Sequence, residues 1–586
     1  MIQYGYLIRK KEEFPMPPQV AVKLISSLES CFLDEKIESK QEKTNFLMYR
    51  NEKLSFQLAC VNLKNENPDP PYFYLRITGA LADYVKVREM ICVPNHYPAA
   101  PQKLDDNYMR TEPGLYPNLL RPLRYRGYNY KRYIPIEEGC FRLPQGQLRA
   151  LWLDVEIPEN VSVPTEETTL TLTVYCREYE MAKAEAHIRV SPLKLPKQKF
   201  IHTEWFYCDC IAEAHRAEVF SDRHFALIEK YIKTALANGI NMIMMPVFTQ
   251  ELDTYVGGER LTTQLLGITV EENGEYSFDF TLIDRWIDMC ERLGVGYYEI
   301  PHFFTQWGAD HAPKIMAKVD GEEKRIFGWE TDSMSEEYKA FLASMISALT
   351  AHFKKRGIDK RCFFHISDEP KLSQLDKYLA CKERVAPYLE GYHIIDALSD
   401  FQFYGLGVLK KPIPSIHAIQ EFLDNDIEGL WAYYCGAGGK QETTDRYLSM
   451  PMARTRILGV QLYLNRIEGF LHWGYNFYHN QFSYDYVDVL SCTDGDYFAP
   501  AGDTCLVYPG TDDTVWETMR LNAMREAMDD IRALELAEEI LGREKTEALI
   551  AEGLSEPLTF FRYPKDASYL INLRERILLA AEEASK

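Results

Sequence analysis

The chain lacks the features of a nucleic-acid-binding or membrane protein. Its 586 residues include 87 Asp and Glu but only 66 Lys and Arg, a formal net charge of -21. Nucleic-acid binding needs a basic surface, and anionic lipids repel an acidic one. No apolar run approaches the roughly 20 residues that cross a bilayer. We therefore expect neither a nucleic acid nor a membrane as partner.

A signal peptide and a disulfide framework are also missing. Residues 1–11 contain no apolar core of signal-peptide length. The 13 cysteines are odd in number and scattered through apolar stretches, which is typical of reduced, buried thiols. Unless a leader has been removed, these absences predict a cytoplasmic protein.

Motifs for cofactor chemistry are absent or weak. The sequence has no His-Glu-x-x-His, no pair of Cys-x-x-Cys motifs and no EF-hand loop, so neither a metal nor another cofactor is expected. It has no Gly-x-Ser-x-Gly elbow either. The glycine-rich residues 436–439 follow a predicted strand without a prompt helix. A surface loop is therefore the better interpretation than a dinucleotide site.

The first third of the chain has the pattern of a β-rich domain. Apolar and polar residues alternate with the period of a half-buried strand. Strands are predicted at residues 46–63, 72–81, 85–93, 148–157 and 169–174. We predict an N-terminal β-sandwich domain over residues 1–195, because two antiparallel sheets are the natural packing for such strands. Proline and lysine mark residues 191–199 as a linker.

From residue 200 onwards, predicted strands alternate with predicted helices. The strands are predicted at residues 200–207, 241–248, 294–304, 363–370, 392–398, 406–409, 429–435 and 469–475. The helices are predicted at residues 221–238, 282–293, 335–356, 375–385, 447–464, 515–540 and 566–583. This alternation indicates an α/β fold, a (β/α)8 TIM-like barrel over residues 196–545. Residues 546–586 would form a C-terminal helical extension packed on it.

Two adjacent carboxylates stand at the end of one buried strand. Residues 363–370 read Phe-Phe-His-Ile-Ser-Asp-Glu-Pro, which puts Asp368 and Glu369 just before Pro370. Proline ends a strand because it has no N–H to donate. Barrel enzymes hold their catalytic groups at the carboxyl ends of strands, so this pair is the predicted catalytic centre. The structural alternative is a helix N-cap, with Asp368 capping a helix that begins near Pro370.

Several other strand ends carry polar and aromatic residues. Carbohydrate sites combine apolar ring faces with a few orienting polar groups. Any single residue of this kind is more often a packing residue, but the pattern recurs from strand to strand. The predicted substrate-binding residues are Trp205, Asp253, Arg260, His302, Gln306, Trp307, Tyr434, His472, Trp473 and Asn476.

The adjacency of the two acids favours one mechanism. A retaining glycosidase with two flanking carboxyls holds them about 5–5.5 Å apart, on either side of the scissile bond. Sequence neighbours are poorly placed for that. They suit a substrate-assisted reaction in which the sugar's own 2-acetamido oxygen is the nucleophile. Glu369 would then protonate the leaving oxygen, while Asp368 would orient the acetamido N–H and raise the pKa of Glu369 by its charge.

Several motifs resemble the catalytic domain of glycoside hydrolase family 123 and its mostly uncharacterised relatives. They lie at residues 113–117, 203–206, 252–254, 257–260, 302–307, 365–370, 471–478 and 507–510. The resemblance implies a β-sandwich, a (β/α)8 barrel and exo-acting β-N-acetylgalactosaminidase activity by the retaining, substrate-assisted route. The family's Asp-Glu pair falls on Asp368 and Glu369. Thr504 and the Asp-Arg-Tyr of residues 445–447 depart from the family pattern and bear on the identity of the substrate.

Two other functions remain open from the sequence. One is a glycosidase for a sugar without an acetamido group, with a carboxylate such as Asp253 as nucleophile. The other is a glycan-binding protein without activity, against which the retention of both acids counts. In each case the expected partner is an oligosaccharide or a glycoconjugate glycan. A homo-oligomer is compatible with the sequence.

Overall fold

The chain forms two compact units. The computed structural model describes residues 18–64, 72–123, 139–164, 166–176, 178–306, 308–435 and 442–586. The first unit comprises the described residues up to Cys92 together with Leu120–Leu195, and the second comprises Val93–Leu119 and Pro196–Lys586. The boundary at Leu195 falls inside the predicted linker. Residues 93–119, assigned to the N-terminal domain from the sequence, belong to the second unit.

The first unit is rich in β-strands. Four antiparallel strands run in the order Gln19–Ser26, Lys53–Lys64, Leu148–Glu156 and Val85–Asn95. A five-stranded sheet has the order Asn45–Arg50, Tyr179–Lys194, Thr168–Cys176, Tyr72–Thr78 and Cys140–Arg142. Residues of both sets, such as Phe56 and Leu172, belong to one buried apolar core. The strand predicted at residues 46–63 is two strands, because Asn51 turns the chain with a φ of 61°.

Eight parallel strands of the second unit form a nearly closed barrel, consistent with the predicted (β/α)8 barrel. In chain order these first to eighth barrel strands are Ile201–Glu204, Met242–Met244, Tyr297–Ile300, Cys362–Phe364, His393–Ala397, Lys411–Ile413, Trp431–Tyr433 and Gly469–His472. The eighth strand pairs with the first, and a parallel bridge from Ser415 to Tyr433 joins the sixth strand's end to the seventh strand.

Helices separate each barrel strand from the next. They are Cys208–His215 with Asp222–Leu236, then Thr281–Leu293, Glu336–Arg356, Leu375–Val385, Phe401–Gly405, Gln420–Leu423, and Met452–Arg456 with Leu458–Leu464. Met519–Leu541, Arg543–Ala551 and Ala567–Ala584 follow the last strand. Helix Glu336–Arg356 begins at a Ser335 cap and ends at Gly357, whose φ is 71°. Nowhere in the described residues does a helix have the length and hydropathy to cross a membrane.

Two predictions for the second unit were wrong in detail. The sixth strand lies at Lys411–Ile413, because residues 406–409 lie around a turn at Gly407 (φ 70°) and Leu406 is 64% exposed. Between the second barrel strand and the next helix, two further strands join Ile315–Val319 and Glu322–Phe327 in a four-stranded sheet. Residues 515–518 form a strand, and Thr518 caps the helix that follows.

Candidate active site

Asp368 and Glu369 lie in a turn just past the carboxyl end of the fourth barrel strand. Glu369 has a φ of 41°, so the backbone leaves the extended conformation there. The two side chains are therefore not forced to opposite faces, as strand neighbours would be. Both acids are half-buried. The N-cap alternative does not hold, because Lys371 caps the short 3-10 helix Leu372–Gln374 and Gln374 caps the α-helix that follows it.

A hydrogen bond from Tyr433 holds the Glu369 side chain in position. The Tyr433 hydroxyl donates to Glu369 Oε1 at 2.5 Å and lies 3.2 Å from Ser399 Oγ. Burial, and then the charge of Glu369, raises the pKa of Tyr433 well above its usual value. The phenol therefore stays protonated and keeps donating to the carboxylate.

The surroundings of Asp368 favour its protonated form. Burial is the main cause that raises the pKa of Asp368 well above its ordinary value, and the charge of Glu369 adds to it. The Asp253 carboxylate also raises this pKa, whereas the charge on His365 lowers it. Two close acids in a site of low polarity cannot both ionise easily. The pair can thus supply one acid and one base to a reaction.

A buried network of hydrogen bonds supports the fourth strand. His365 Nε2 is 2.7 Å from Glu299 Oε1, and His365 Nδ1 is 3.3 Å from Asp396 Oδ1. Burial lowers the pKa of His365, but its hydrogen bonds to Asp396 and Glu299 outweigh burial and bring the pKa to about 9. At neutral pH this residue is an imidazolium between two carboxylates. Ligand atoms of His302, His365 and Asp396 lie close enough to share a metal ion, which would have to displace the proton of the His365 imidazolium.

The same network holds Trp205. Its indole N–H donates to Glu299 Oε1 at 2.9 Å, and the hydroxyl of Thr203 donates to the other oxygen of that carboxylate. The Trp205 ring meets the ring of His302 edge to face, with 5.4 Å between centroids. Trp205 is thus a fixed aromatic side chain beside the fourth strand, and it is only 4% exposed.

A pocket beside this network contains buried polar atoms without partners among the described residues. Its lining residues are Gln250, Glu251, Leu252, Pro301, His302, Phe304, Thr305, Gln306 and Pro313. Neither ring nitrogen of His302 has a hydrogen-bond partner among the described residues, and the same holds for Glu251 Oε2. Both side chains are only 6% exposed. Burial lowers the pKa of His302 well below its usual value and raises that of Glu251 to about 7. Such groups are available to the hydroxyls of a ligand.

Asp253 connects this pocket with the acid pair. The Asp253 N–H donates to Gln306 Oε1 at 2.5 Å, and Asp253 Oδ2 accepts from the Phe482 N–H at 2.9 Å. Burial raises the pKa of Asp253 to about 6. Arg260 fixes the same loop, since it donates to Leu252 O and forms a 2.6 Å ion pair with Asp209. That arginine has a structural role.

Polar groups at the eighth strand end are occupied by protein partners. His472 Nδ1 accepts from Arg446 at 2.7 Å, and His472 Nε2 donates to Asp503 at 3.0 Å. Arg446 also donates to Glu204 at 2.8 Å. Burial opposes the charge of Glu204, but Arg446 brings the pKa of that acid down to about 2. The side chains of His472, Arg446 and Glu204 therefore already have protein hydrogen-bond partners.

Two predicted ligand residues are corrected by their contacts. The side-chain amide of Asn476 bonds the N–H and the carbonyl of Tyr207, at 3.0 and 2.9 Å, so it fixes backbone. Tyr434 lies in an apolar core, with its hydroxyl 3.4 Å from Met524 Sδ. The tyrosine of the site is its neighbour Tyr433. Trp473 is half-buried, and its indole nitrogen has no partner among the described residues.

The structure thus brings together about half of the predicted site. Trp205, Asp253, His302 and Gln306 lie around the pair, and Trp307 lies outside the described residues. The residues that sequence reasoning missed are Glu251, Glu299, His365, Asp396, Tyr433 and Arg446. His365 stands inside the Asp-Glu motif, so its position was a usable signal. A second signal was the alternation of side chains along a strand, by which only one of Tyr433 and Tyr434 can face the site. Which of the two does so is decided only in the folded barrel.

A barrel with an acid pair at a strand end, an aromatic surface and a polar pocket is the site of a glycoside hydrolase. Residues 205–537 match the family model described as glycoside hydrolase 123, catalytic domain. That match covers more than half of the chain, which therefore belongs to glycoside hydrolase family 123. The family resemblance found in the motifs is confirmed.

A solved structure of the same family has a similar fold. It is a family 123 glycoside hydrolase from Clostridium perfringens, studied for glycolipid glycan hydrolysis. The likeness covers 96% of this chain and 98% of that chain, with a TM-score of 0.71 and 14% identity. A GH5 xyloglucanase from Bacteroides ovatus covers 83% of this chain and 98% of its own, with a TM-score of 0.29 and 8% identity. No curated protein matches the chain.

Proposed function

We propose that this glycoside hydrolase removes terminal β-linked N-acetylhexosamine, with N-acetylgalactosamine as the sugar. It would act from the chain end, with retention, by the substrate-assisted route, on a (β/α)8 barrel that follows a β-sandwich. The observation that carries the proposal is the adjacency of Asp368 and Glu369 in one turn, where burial and the charge of Glu369 raise the pKa of Asp368. Neighbouring acids are poorly placed to flank a sugar ring, which favours a nucleophile supplied by the substrate.

The first step forms an oxazolinium ion. The acetamido oxygen attacks the anomeric carbon while the glycosidic C–O bond breaks. Glu369 gives its proton to the leaving oxygen, and Asp368 accepts a hydrogen bond from the acetamido N–H. That bond favours the charged form of Asp368, which moves the shared proton to Glu369. The Asp368 carboxylate then faces the developing positive charge.

The second step releases the sugar. Glu369, now a carboxylate, accepts a proton from water as the water attacks the anomeric carbon. The C–O bond of the oxazolinium ring breaks, and the sugar leaves with its original β configuration. The hydrogen bond from Tyr433 keeps Glu369 in one position through both steps.

Recognition of the sugar would come from two features. Trp205, which Glu299 holds and which is only 4% exposed, would form the apolar wall behind the sugar. His302 and Glu251 offer unpaired polar atoms for the hydroxyls of the sugar. A site that pairs buried polar groups with substrate hydroxyls rejects analogues that lack them, since the groups are then left unsatisfied. Because the Clostridium perfringens protein is described for glycolipid glycans, a glycan carried on a lipid is included among the proposed substrates.

A panel of nitrophenyl β-glycosides tests the proposal. We expect hydrolysis of the N-acetylgalactosaminide and none of the galactoside, which differs by the acetamido group. NMR of the first product formed should show the β anomer. Rapid cleavage of the galactoside, or a trapped glycosyl ester on Asp253, would overturn the proposal in favour of a non-acetamido glycosidase. Binding without turnover on every glycoside would indicate a glycan-binding protein.

A further inference from the structure

Two exposed tyrosines stack on the catalytic face of the barrel. Tyr255 lies in the loop after the second barrel strand, and Tyr484 lies in the loop after the eighth. Both loops follow the carboxyl ends of barrel strands, as Asp368 does, so they lie on the same face of the barrel. The two ring centroids are 4.5 Å apart with 19° between the ring planes. Tyr255 is 38% exposed and Tyr484 is 60% exposed.

The pair is anchored to Asp253. Phe482 donates its N–H to the Asp253 carboxylate at 2.9 Å, and the Ser483 hydroxyl donates to the Asp253 carbonyl at 2.6 Å. The Tyr255 N–H donates to the Phe482 carbonyl at 3.1 Å. Asp253 in turn donates its N–H to Gln306 at 2.5 Å. The neighbouring Thr305 carbonyl accepts from the Ser367 hydroxyl at 2.8 Å, directly before Asp368. A chain of hydrogen bonds and neighbouring residues thus links the stacked pair to the catalytic centre.

The backbone around the pair is held in an unfavourable conformation. Phe482 and Ser483 have φ values of 62° and 54°, in the left-handed region. Non-glycine residues stay there only when their surroundings hold them, and such positions cluster at functional sites. Tyr255 also needs a glycine beside it, because a Cβ on Gly258 would lie 2.6 Å from the Tyr255 ring. Both rings are therefore held in place by the fold.

The open surface of the pair suits a sugar ring. Tyr255 covers one face of Tyr484, so the 60% exposure of Tyr484 leaves the opposite face in solvent. The ring of Phe482 stands at 86° to that of Tyr484, with 6.3 Å between centroids. A pyranose has an apolar C–H face, which matches a flat aromatic face. An acyl chain would be better served by a groove than by a flat surface.

We propose that Tyr255 and Tyr484 bind the sugar unit on the leaving-group side of the scissile bond. This inference rests on the proposed function, because it needs a glycan leaving group at Glu369. The stacked pair would then favour substrates whose terminal N-acetylhexosamine is attached to at least one more pyranose.

The test compares Tyr484→Ala, Tyr484→Phe and the wild type. The substrate is a trisaccharide with terminal β-linked N-acetylgalactosamine on lactose, and the reference ligand is the thiazoline derived from N-acetylgalactosamine, which fills only the position at the acid pair. Tyr484→Ala should lower kcat/KM for the trisaccharide by roughly threefold to tenfold through KM, the worth of one aromatic stacking contact. The Ki of the thiazoline should not change, and Tyr484→Phe should keep the wild-type kcat/KM. Tyr179, 48% exposed in the first unit, supplies the matched control Tyr179→Ala.

The outcomes separate the two proposals. A wild type that neither cleaves the trisaccharide nor binds the thiazoline contradicts the proposed function itself. An active wild type with an unchanged Tyr484→Ala overturns the stacking proposal alone. A loss of thiazoline affinity as large as the loss of kcat/KM for the trisaccharide also overturns it, since that result would show a disturbed catalytic centre. A loss seen only when the trisaccharide carries an acyl chain would show that the pair binds lipid instead of sugar.

Discussion

The carboxyl ends of the fourth and eighth barrel strands both carry a histidine among aromatic residues, but their chemistry differs. At the fourth, burial and a like charge raise the pKa of Asp368 well above its ordinary value, so the pair favours a protonated carboxyl. At the eighth, Arg446 bonds His472 and also draws down to about 2 the pKa of Glu204, which ends the adjacent first strand. A polar strand end is therefore a reactive site only where its groups are not already paired.

Two buried histidines show the same contrast at closer range. The rings of His302 and His365 are 4.3 Å apart between centroids. Two carboxylates hold His365 as an imidazolium, whereas burial without a partner keeps His302 neutral. The charge state of each histidine is thus set by its hydrogen-bond partners rather than by how deeply it is buried. His365 supports the catalytic strand, and His302 remains free to bind a ligand.

The largest expected effect is at the fourth strand end. Glu369→Gln should lower kcat on a natural glycan by roughly 10²–10⁴-fold, the usual worth of general acid–base catalysis. The loss should be smaller on nitrophenyl glycosides, because a good leaving group needs less protonation. Steady-state kinetics on both substrates measures this, with thermal unfolding as the control for folding. Near-normal turnover of the natural glycan would remove Glu369 from the mechanism.

The eighth strand end should respond in stability instead. Arg446→Met leaves the charge of Glu204 buried and uncompensated, which should lower the free energy of unfolding by about 3–5 kcal/mol. Urea unfolding measures it. Arg361→Met is the matched control, because it removes an ion pair with Glu291 nearer the surface and should cost much less. The comparison would fail if Arg446→Met kept full stability and lost activity, since the eighth strand end would then be part of the reactive site.

Much of this contrast could not be predicted from sequence. Hydrophobic periodicity located seven of the eight barrel strands near their observed positions and misplaced the sixth, where Pro412 inside Lys411–Ile413 hid the strand. The acid pair was predictable because a proline follows it at a strand end. Whether a polar side chain is free depends on partners far away in sequence, such as Glu299 and Asp396 around His365. Those pairings exist only once the barrel has formed.

The sequence also could not predict which of two neighbouring strand residues faces the site. Neighbouring strand residues point to opposite faces, so Tyr433 and Tyr434 were equally good choices from the sequence. Only the barrel shows that Tyr433 meets Glu369 and that Tyr434 enters the core. Family motifs locate a strand end well. They do not decide which of its side chains face the substrate.

The smallest expected effect concerns the pocket, where unpaired groups should make stability depend on pH. Burial raises the pKa of Glu251 from 4.5 to about 7 in the folded protein. The folded state then binds the proton more tightly than the unfolded state, so this residue costs nothing below pH 4.5. Its cost grows as the pH rises and is complete above pH 7, at about 3 kcal/mol by linkage. Glu251→Gln should therefore raise the free energy of unfolding at pH 8 relative to its effect at pH 4, measured by urea unfolding at both values. Glu323→Gln, at an exposed carboxylate, is the control. An equal effect of Glu251→Gln at both pH values would show that Glu251 Oε2 also has a partner in solution, and the pocket would then resemble the satisfied eighth strand end.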